Sequence, residues 1–152
     1  MGSGGVETCG EGQGRANLRA GGTRSRNGKG VEALAGGARF HMGAVGIFKA
    51  GASWLPGLVD RVLGEAGLTR KAVDLVVPHQ ASGPALEHAR RLMGGDPNRV
   101  LDIFATHGNQ IAASLPTALT EAHARGLLTP GKTVLLLGTA AGISTAAMVI
   151  RT

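Results

Sequence analysis

Two short polar clusters follow apolar runs and carry the side chains of this chain that are best suited to chemistry. Pro-His-Gln at 78–80 follows the apolar run 75–77, and Thr-His-Gly-Asn at 106–109 follows the run 100–104. Polar residues at the ends of buried strands are where open α/β sheets bind ligands. The two clusters therefore predict a catalytic face.

A turn of small residues supports this prediction. The apolar run 134–137 opens into Gly-Thr-Ala-Ala-Gly at 138–142. Small residues let backbone N–H groups approach a ligand closely, so this turn is expected at the same site. A tight hairpin connection is the alternative interpretation.

Seven regular elements must position these clusters, and hydrophobic periodicity predicts them in the order α-β-α-β-α-β-β. The predicted helices cover residues 44–67, 82–93 and 111–125. The predicted strands cover residues 73–77, 99–103, 133–137 and 145–150. Ser82 is expected to cap the second helix, and Pro116 fits only in the first turn of the third.

This order predicts one α/β domain, in which helices cover a layered mixed sheet with an antiparallel final pair. We assign it to residues 40–152. Residues 1–39 are rich in glycine and lack apolar periodicity, so they are expected to form a partly disordered leader or variable connection.

Charge and cysteine content limit the class of protein. A net charge of +6 raises the possibility of a nucleic-acid partner, whose binding would weaken steeply with salt. Its arginines are dispersed without interleaved aromatics, so we expect no nucleic-acid partner. The only cysteine, Cys9, rules out an intrachain disulfide or a multi-cysteine zinc site, and we expect no metal. We expect no membrane span and a cytoplasmic location.

The motifs together resemble one family. From about residue 48 to 151 the chain is similar to the C-terminal half of β-ketoacyl-acyl-carrier-protein synthase III, a condensing enzyme of the thiolase-like fold. Thirty residues separate His79 from Asn109, as in that family. The matching segments are 47–49, 66–68, 77–81, 107–109 with 112–114, and the terminal small-residue turn.

The resemblance implies a decarboxylative Claisen condensation in fatty-acid or polyketide biosynthesis. Acyl-CoA and malonyl-acyl-carrier-protein would be substrates, with no cofactor. His79 and Asn109 would be catalytic and would donate hydrogen bonds to the malonyl thioester oxygen. Phe48 would line the carboxylate's exit route, and the N–H near Ala141 would belong to the oxyanion hole. Structural roles for these residues are the alternative interpretation.

Three basic residues match or adjoin positions where the family presents positive charge, namely Lys49, Arg90 and Arg91. The resemblance implies that they meet an acidic carrier protein or the phosphates of coenzyme A. A solvated helix face is an equally good interpretation. Pro84 departs from the family, which usually has a basic or bulky residue there.

The family's nucleophilic cysteine belongs to an N-terminal half that has no counterpart in this sequence. Cys9 lies between Glu7 and Glu11, which disfavour a thiolate, so we expect it to be inert. The chain alone is therefore expected to be inactive, to need the missing half or a homologous subunit, and to form a homodimer only at full length. The alternative is a non-catalytic fragment that binds such a subunit or a carrier protein.

Overall fold

A computed structural model describes residues 2–8, 14–18, 37 and 39–152 of the chain. The helices are α1 (Ala44–Glu65), α2 (Gly83–Leu92), α3 (Phe104–His107) and α4 (Ser114–Ala124). The strands are β1 (Ser3–Thr8), β2 (Ala16–Leu18), β3 (Phe40–Met42), β4 (Leu75–Pro78), β5 (Thr133–Ala140) and β6 (Ser144–Arg151).

A four-stranded mixed sheet forms the centre of the domain, in the order β1-β6-β5-β4. Strands β4 and β5 are parallel, whereas β6 is antiparallel to both β5 and β1. Alternate residues face opposite sides, so Leu135 and Leu137 join the core under α1 while Val134 joins the core under α4. The predicted α/β fold with a layered mixed sheet is confirmed.

Helix α1 forms because its apolar residues recur at three- and four-residue steps and reach one face. Leu58, Val59 and Val62 on that face are completely buried. The helix ends where Gly67 takes a φ of 68° and the N–H of Leu68 donates to the Leu63 carbonyl over 2.8 Å. This is the Schellman arrangement that favours glycine, and the predicted end near residue 67 is confirmed.

Three strands, β1, β2 and β3, lie where the sequence predicted none. Residues 3–8 form β1 and pair with β6, and residues 16–18 form β2 and pair with β3, so the prediction of a leader without regular structure is wrong at both places. Small residues give β1 no apolar alternation that a sequence pattern could reveal. They are needed because β1 packs closely on α1: a Cβ added at Gly5 would lie 3.1 Å from Leu58 Cδ1 and Val62 Cγ2. Residues 9–13, with Cys9, and 19–36 lie outside the described residues.

The predicted strand at 99–103 is also wrong. Its pairing with β4 is limited to one parallel bridge, between Val76 and Val100, although the N–H of Leu101 still donates to the Val76 carbonyl over 2.9 Å. Beyond this point the chain turns into the short helix α3, which periodicity did not predict. A single turn is too short to leave a 3.6-residue pattern.

The other two predicted helices form with small changes at their ends. Ser82 caps α2 by accepting a hydrogen bond from the N–H of Ala85, as predicted. The third helix begins at Ser114 instead of residue 111, because a 3-10 turn, Ile111–Ala113, precedes it. Pro116 therefore lies in the first turn of α4, where its missing N–H leaves no hydrogen bond unmade.

The docking of β1 on α1 can be tested with two neighbouring glycines. Gly5→Val should lower the free energy of unfolding by about 1–3 kcal/mol, because its side chain overlaps Leu58 and Val62. Gly4→Val is the matched control, since its Cβ faces outward and makes ordinary contact with Met148 at 3.6 Å. Urea denaturation measures both, and equal effects would contradict this packing.

Candidate active site

His79 and the small-residue turn lie at one edge of the sheet. Strand β4 ends at Pro78, which pairs in register with Leu137 of the parallel strand β5. The backbone N–H of His79 then donates to the Leu137 carbonyl over 2.7 Å. This bond extends the parallel ladder by one residue and fixes His79 beside β5.

The His79 ring is half-buried, and this burial lowers its pKa below the ordinary value of 6.5, since burial disfavours the charged form. At neutral pH the ring is therefore uncharged, with one N–H donor and one acceptor nitrogen. A neutral imidazole can donate a hydrogen bond to an oxygen that gains charge without bringing a full positive charge into the site.

Both polar atoms of the Asn109 side-chain amide make hydrogen bonds. Its Oδ1 accepts from the N–H of Ile111 over 2.9 Å, and its Nδ2 donates to the Ala81 carbonyl over a long 3.4 Å. The N–H of Ala81 in turn donates to the His79 carbonyl over 2.8 Å. The structure therefore brings the His79 and Asn109 loops together, and one Nδ2 hydrogen remains for a ligand.

The backbone around Asn109 is strained. Gly108 just before it has a φ of 64°, which glycine adopts freely. Ile111 has a φ of 56° although it is β-branched and exposed, a conformation that costs roughly 1–2 kcal/mol. Strain of this kind persists only where surrounding contacts impose it, and it concentrates at functional sites.

Gln80 is a site residue to which the sequence analysis gave no role. Its side chain is completely buried. Nε2 donates to the carbonyls of Pro78 at 2.9 Å and Leu101 at 3.2 Å, and Oε1 accepts from the N–H of Ile103 at 3.0 Å. Gln80 thus replaces the missing ladder between β4 and residues 101–103. A polar residue inside a motif between two apolar runs was its only sequence signal.

The small-residue turn is a hairpin. Residues 141–143 connect β5 to β6, and the strands pair up to Ala140 and Ser144. The hairpin interpretation is therefore correct for its backbone, and Ala141 lies exposed at its start.

Phe48 lies in the first half of α1 and meets α2. Its ring contacts the His88 ring edge to face, with the ring centroids 6.0 Å apart and the planes at 84°. Phe48 is 36% exposed, so one part of the ring packs between helices while the other faces solvent.

The three basic residues predicted to dock a partner lie in different environments. Lys49 is exposed on α1. Arg91 is exposed on α2 and pairs with Glu87 at 3.0 Å. Arg90 is largely covered and its Nη2 lies 2.6 Å from Asp102 Oδ2. Lys49 and Arg91 therefore present charge to solvent, whereas Arg90 is engaged within the domain.

The described residues form neither a metal-binding cluster nor a membrane-spanning helix. No cluster of three histidine, cysteine or acidic side chains within the described ranges is arranged to hold a metal ion. No helix in that part of the chain is both long and apolar enough to cross a bilayer.

Comparison with known proteins defines the class. A family model described as 3-oxoacyl-[acyl-carrier-protein (ACP)] synthase III C terminal matches residues 63–152. The chain belongs to this family.

Individual relatives agree. The β-ketoacyl-[acyl-carrier-protein] synthase III of Clostridium tetani is 37% identical over 93 residues, 61% of this chain and 28% of that protein. The synthase III of Dinoroseobacter shibae is 38% identical over 105 residues, 69% of this chain and 32% of that protein. The chain thus spans about a third of the length of these curated relatives.

Solved structures have the same fold. A 3-oxoacyl-(acyl-carrier-protein) synthase III crystal structure superposes with a TM-score of 0.86 at 26% identity, covering 98% of this chain and 47% of that one. The synthase III of Thermus thermophilus gives 0.83 at 29% identity, covering 99% and 45%. These neighbours confirm the predicted thiolase-like fold.

The protonation of His79 can be measured directly. NMR titration of its ring should give a midpoint below pH 6.5, and the His79→Gln spectrum assigns the signal. The unfolded chain takes up this proton near the ordinary pKa of 6.5, so the His79 contribution to stability is fully present above pH 6.5 and is lost as the pH falls below 6.5 and through the lowered pKa of the folded state. A midpoint at or above 6.5 would contradict the burial of this ring.

Proposed function

We propose that this chain provides the decarboxylating part of a synthase III condensing enzyme, with His79 and Asn109 as its catalytic residues. The observation that carries the proposal is the joining of their two loops through Ala81, which leaves a neutral imidazole and a free amide hydrogen at one sheet edge. Both groups are uncharged hydrogen-bond donors, the type that stabilises an oxyanion as it forms.

In this mechanism the malonyl thioester oxygen accepts hydrogen bonds from the His79 ring and Asn109 Nδ2. The bond between the carboxylate and the methylene carbon breaks and carbon dioxide leaves. The electron pair of that bond is delocalised onto the thioester oxygen, which gives an enolate. The enolate carbon then attacks an acyl thioester, whose sulfur leaves as a thiolate. Each donor acts on charge that exists mainly in the transition state, so its loss costs about 3–4 kcal/mol.

Two further residues have supporting roles in the proposal. The solvent-facing part of Phe48 lines the route by which the carboxylate leaves as carbon dioxide. The backbone N–H of Ala141, at the exposed start of the hairpin, forms part of the oxyanion hole for the acyl group. A backbone donor is compatible with alanine at this position.

The acyl-carrying cysteine comes from outside the matched region. The relatives are about three to four times as long as the matched segment, and the single cysteine of the sequence, Cys9, precedes it. We propose that a cysteine-bearing first half or a homologous subunit completes the enzyme. Lys49 and Arg91 then attract the acidic carrier protein or coenzyme A phosphates by electrostatic steering.

Release of labelled carbon dioxide from malonyl-pantetheine tests the proposal. The assay uses the whole chain, alone and with a cysteine-bearing first half from a synthase III relative. His79→Ala and Asn109→Ala should each lower the release by about 10²–10³-fold, while acyl transfer to the cysteine is partly retained. His123→Ala, an exposed histidine on α4, is the matched control and should leave the release unchanged.

Two results would count against the proposal. Equal loss of both half-reactions in His79→Ala would indicate a structural histidine. No release of carbon dioxide in either setting would favour a non-catalytic fragment that binds a homologous subunit or carrier protein.

A further inference from the structure

Helix α3 cannot hold its own position. It has four residues, and a single helical turn is unstable without outside contacts because nucleation costs more than one turn returns. Asn109 follows two residues after the end of α3, so the direction of α3 affects where its backbone lies. The groups that hold the start of α3 therefore contribute to the placement of Asn109, together with the Ala81 carbonyl and the Ile111 N–H that bind its amide.

Two side chains hold that start. Gln80 binds the backbone at Leu101 and Ile103 from the buried side. Asp102 holds the next residue, since its Oδ1 accepts from the N–H of Phe104, the first residue of α3, over 3.0 Å. The carboxylate of Asp102 thus accepts a hydrogen bond from the first backbone N–H of α3, which has no partner within the helix.

Arg90 holds the Asp102 carboxylate in place. Its Nη2 donates to the other Asp102 oxygen, Oδ2, over 2.6 Å. Arg90 lies on α2, the helix that follows the His79 loop, so the pair links the two segments that carry His79 and Asn109. Only 23% of its side chain is exposed, compared with 75% for Arg91, which points to a role inside the domain.

We propose that Arg90 is a positioning residue that acts through Asp102 and α3 to hold Asn109 at the correct place beside His79. This inference rests on the proposed function for its catalytic consequence and replaces a docking role for Arg90. A charge-assisted bond is shorter and stronger than a neutral one, so it suits a short segment under strain. Misplacement of a reacting group by about 1 Å can cost about 10²-fold in rate.

Kinetics on a small substrate test the proposal. Malonyl-pantetheine lacks both a carrier protein and the nucleotide phosphates, so docking charge has no role. Arg90→Ala and Asp102→Ala should each lower kcat for carbon dioxide release by about 10–100-fold with little change in KM. Arg61→Ala is the matched control, because Arg61 also joins two elements, α1 and β1, through Glu7 at 3.2 Å, and neither residue belongs to the proposed site.

A double variant separates positioning from general destabilisation. If Arg90 acts through Asn109, Arg90→Ala should cause almost no further loss of activity in an Asn109→Ala chain. Losses that multiply in the double variant would overturn the proposal. So would an Arg90→Ala variant that is impaired only with carrier-linked malonyl substrate, because that result indicates docking.

Hydrogen exchange decides the structural step even if the chain releases no carbon dioxide. The Phe104 backbone N–H should exchange at least about 10-fold faster in Arg90→Ala and Asp102→Ala than in the unmodified chain. Its exchange rate should be unchanged in Arg61→Ala. Unchanged exchange in Arg90→Ala would overturn the proposal. An inactive chain with the expected exchange would instead count against the proposed function alone.

Discussion

The hydrogen bonds of Gln80 replace a β ladder between the two segments that carry His79 and Asn109. Residues 100–103 pair with β4 at a single bridge, after which the chain must turn out of the sheet to form α3. The backbone N–H and carbonyl groups where the chain leaves the sheet are unpaired by the ladder, and burying them without hydrogen-bond partners would be costly. The completely buried Gln80 amide satisfies the Leu101 carbonyl and the Ile103 N–H, so the turn and the packed core can coexist.

The polar site follows from this constraint. Because β4 and β5 are parallel, both end at the same edge, where the Leu137 carbonyl fixes His79. Because Gln80 binds the backbone of residues 101–103 where they leave the sheet, the following segment can turn so that Asn109 lies at the same edge and binds the Ala81 carbonyl. Partial burial keeps His79 uncharged at neutral pH, which suits hydrogen-bond donation more than proton uptake. The fold thus positions His79 and Asn109 at one edge of the sheet, and partial burial sets the protonation state of the His79 ring.

The sequence predicted those parts of the fold that depend on apolar spacing. Helix α1, the capped start of α2 and the final antiparallel pair all follow from local pattern and turn chemistry. Strand β1 was missed because close packing at Gly5 leaves no apolar alternation, and the strand at 99–103 was predicted wrongly because Gln80 interrupts it. At the candidate site, the resemblance to the family led to the proposal of His79 and Asn109, whereas the Arg90–Asp102 pair depends on tertiary contact and has no local signal.

In the proposed site, His79 and Asn109 donate hydrogen bonds to the same substrate oxygen. NMR titration of the chain with sulfoacetyl-pantetheine tests it, because this compound keeps the thioester oxygen but carries a sulfonate that cannot leave as carbon dioxide. The account predicts that the His79 ring signal and the Asn109 side-chain amide signal shift together with one dissociation constant. Movement of one signal without the other, or of neither while the compound binds elsewhere, would contradict it.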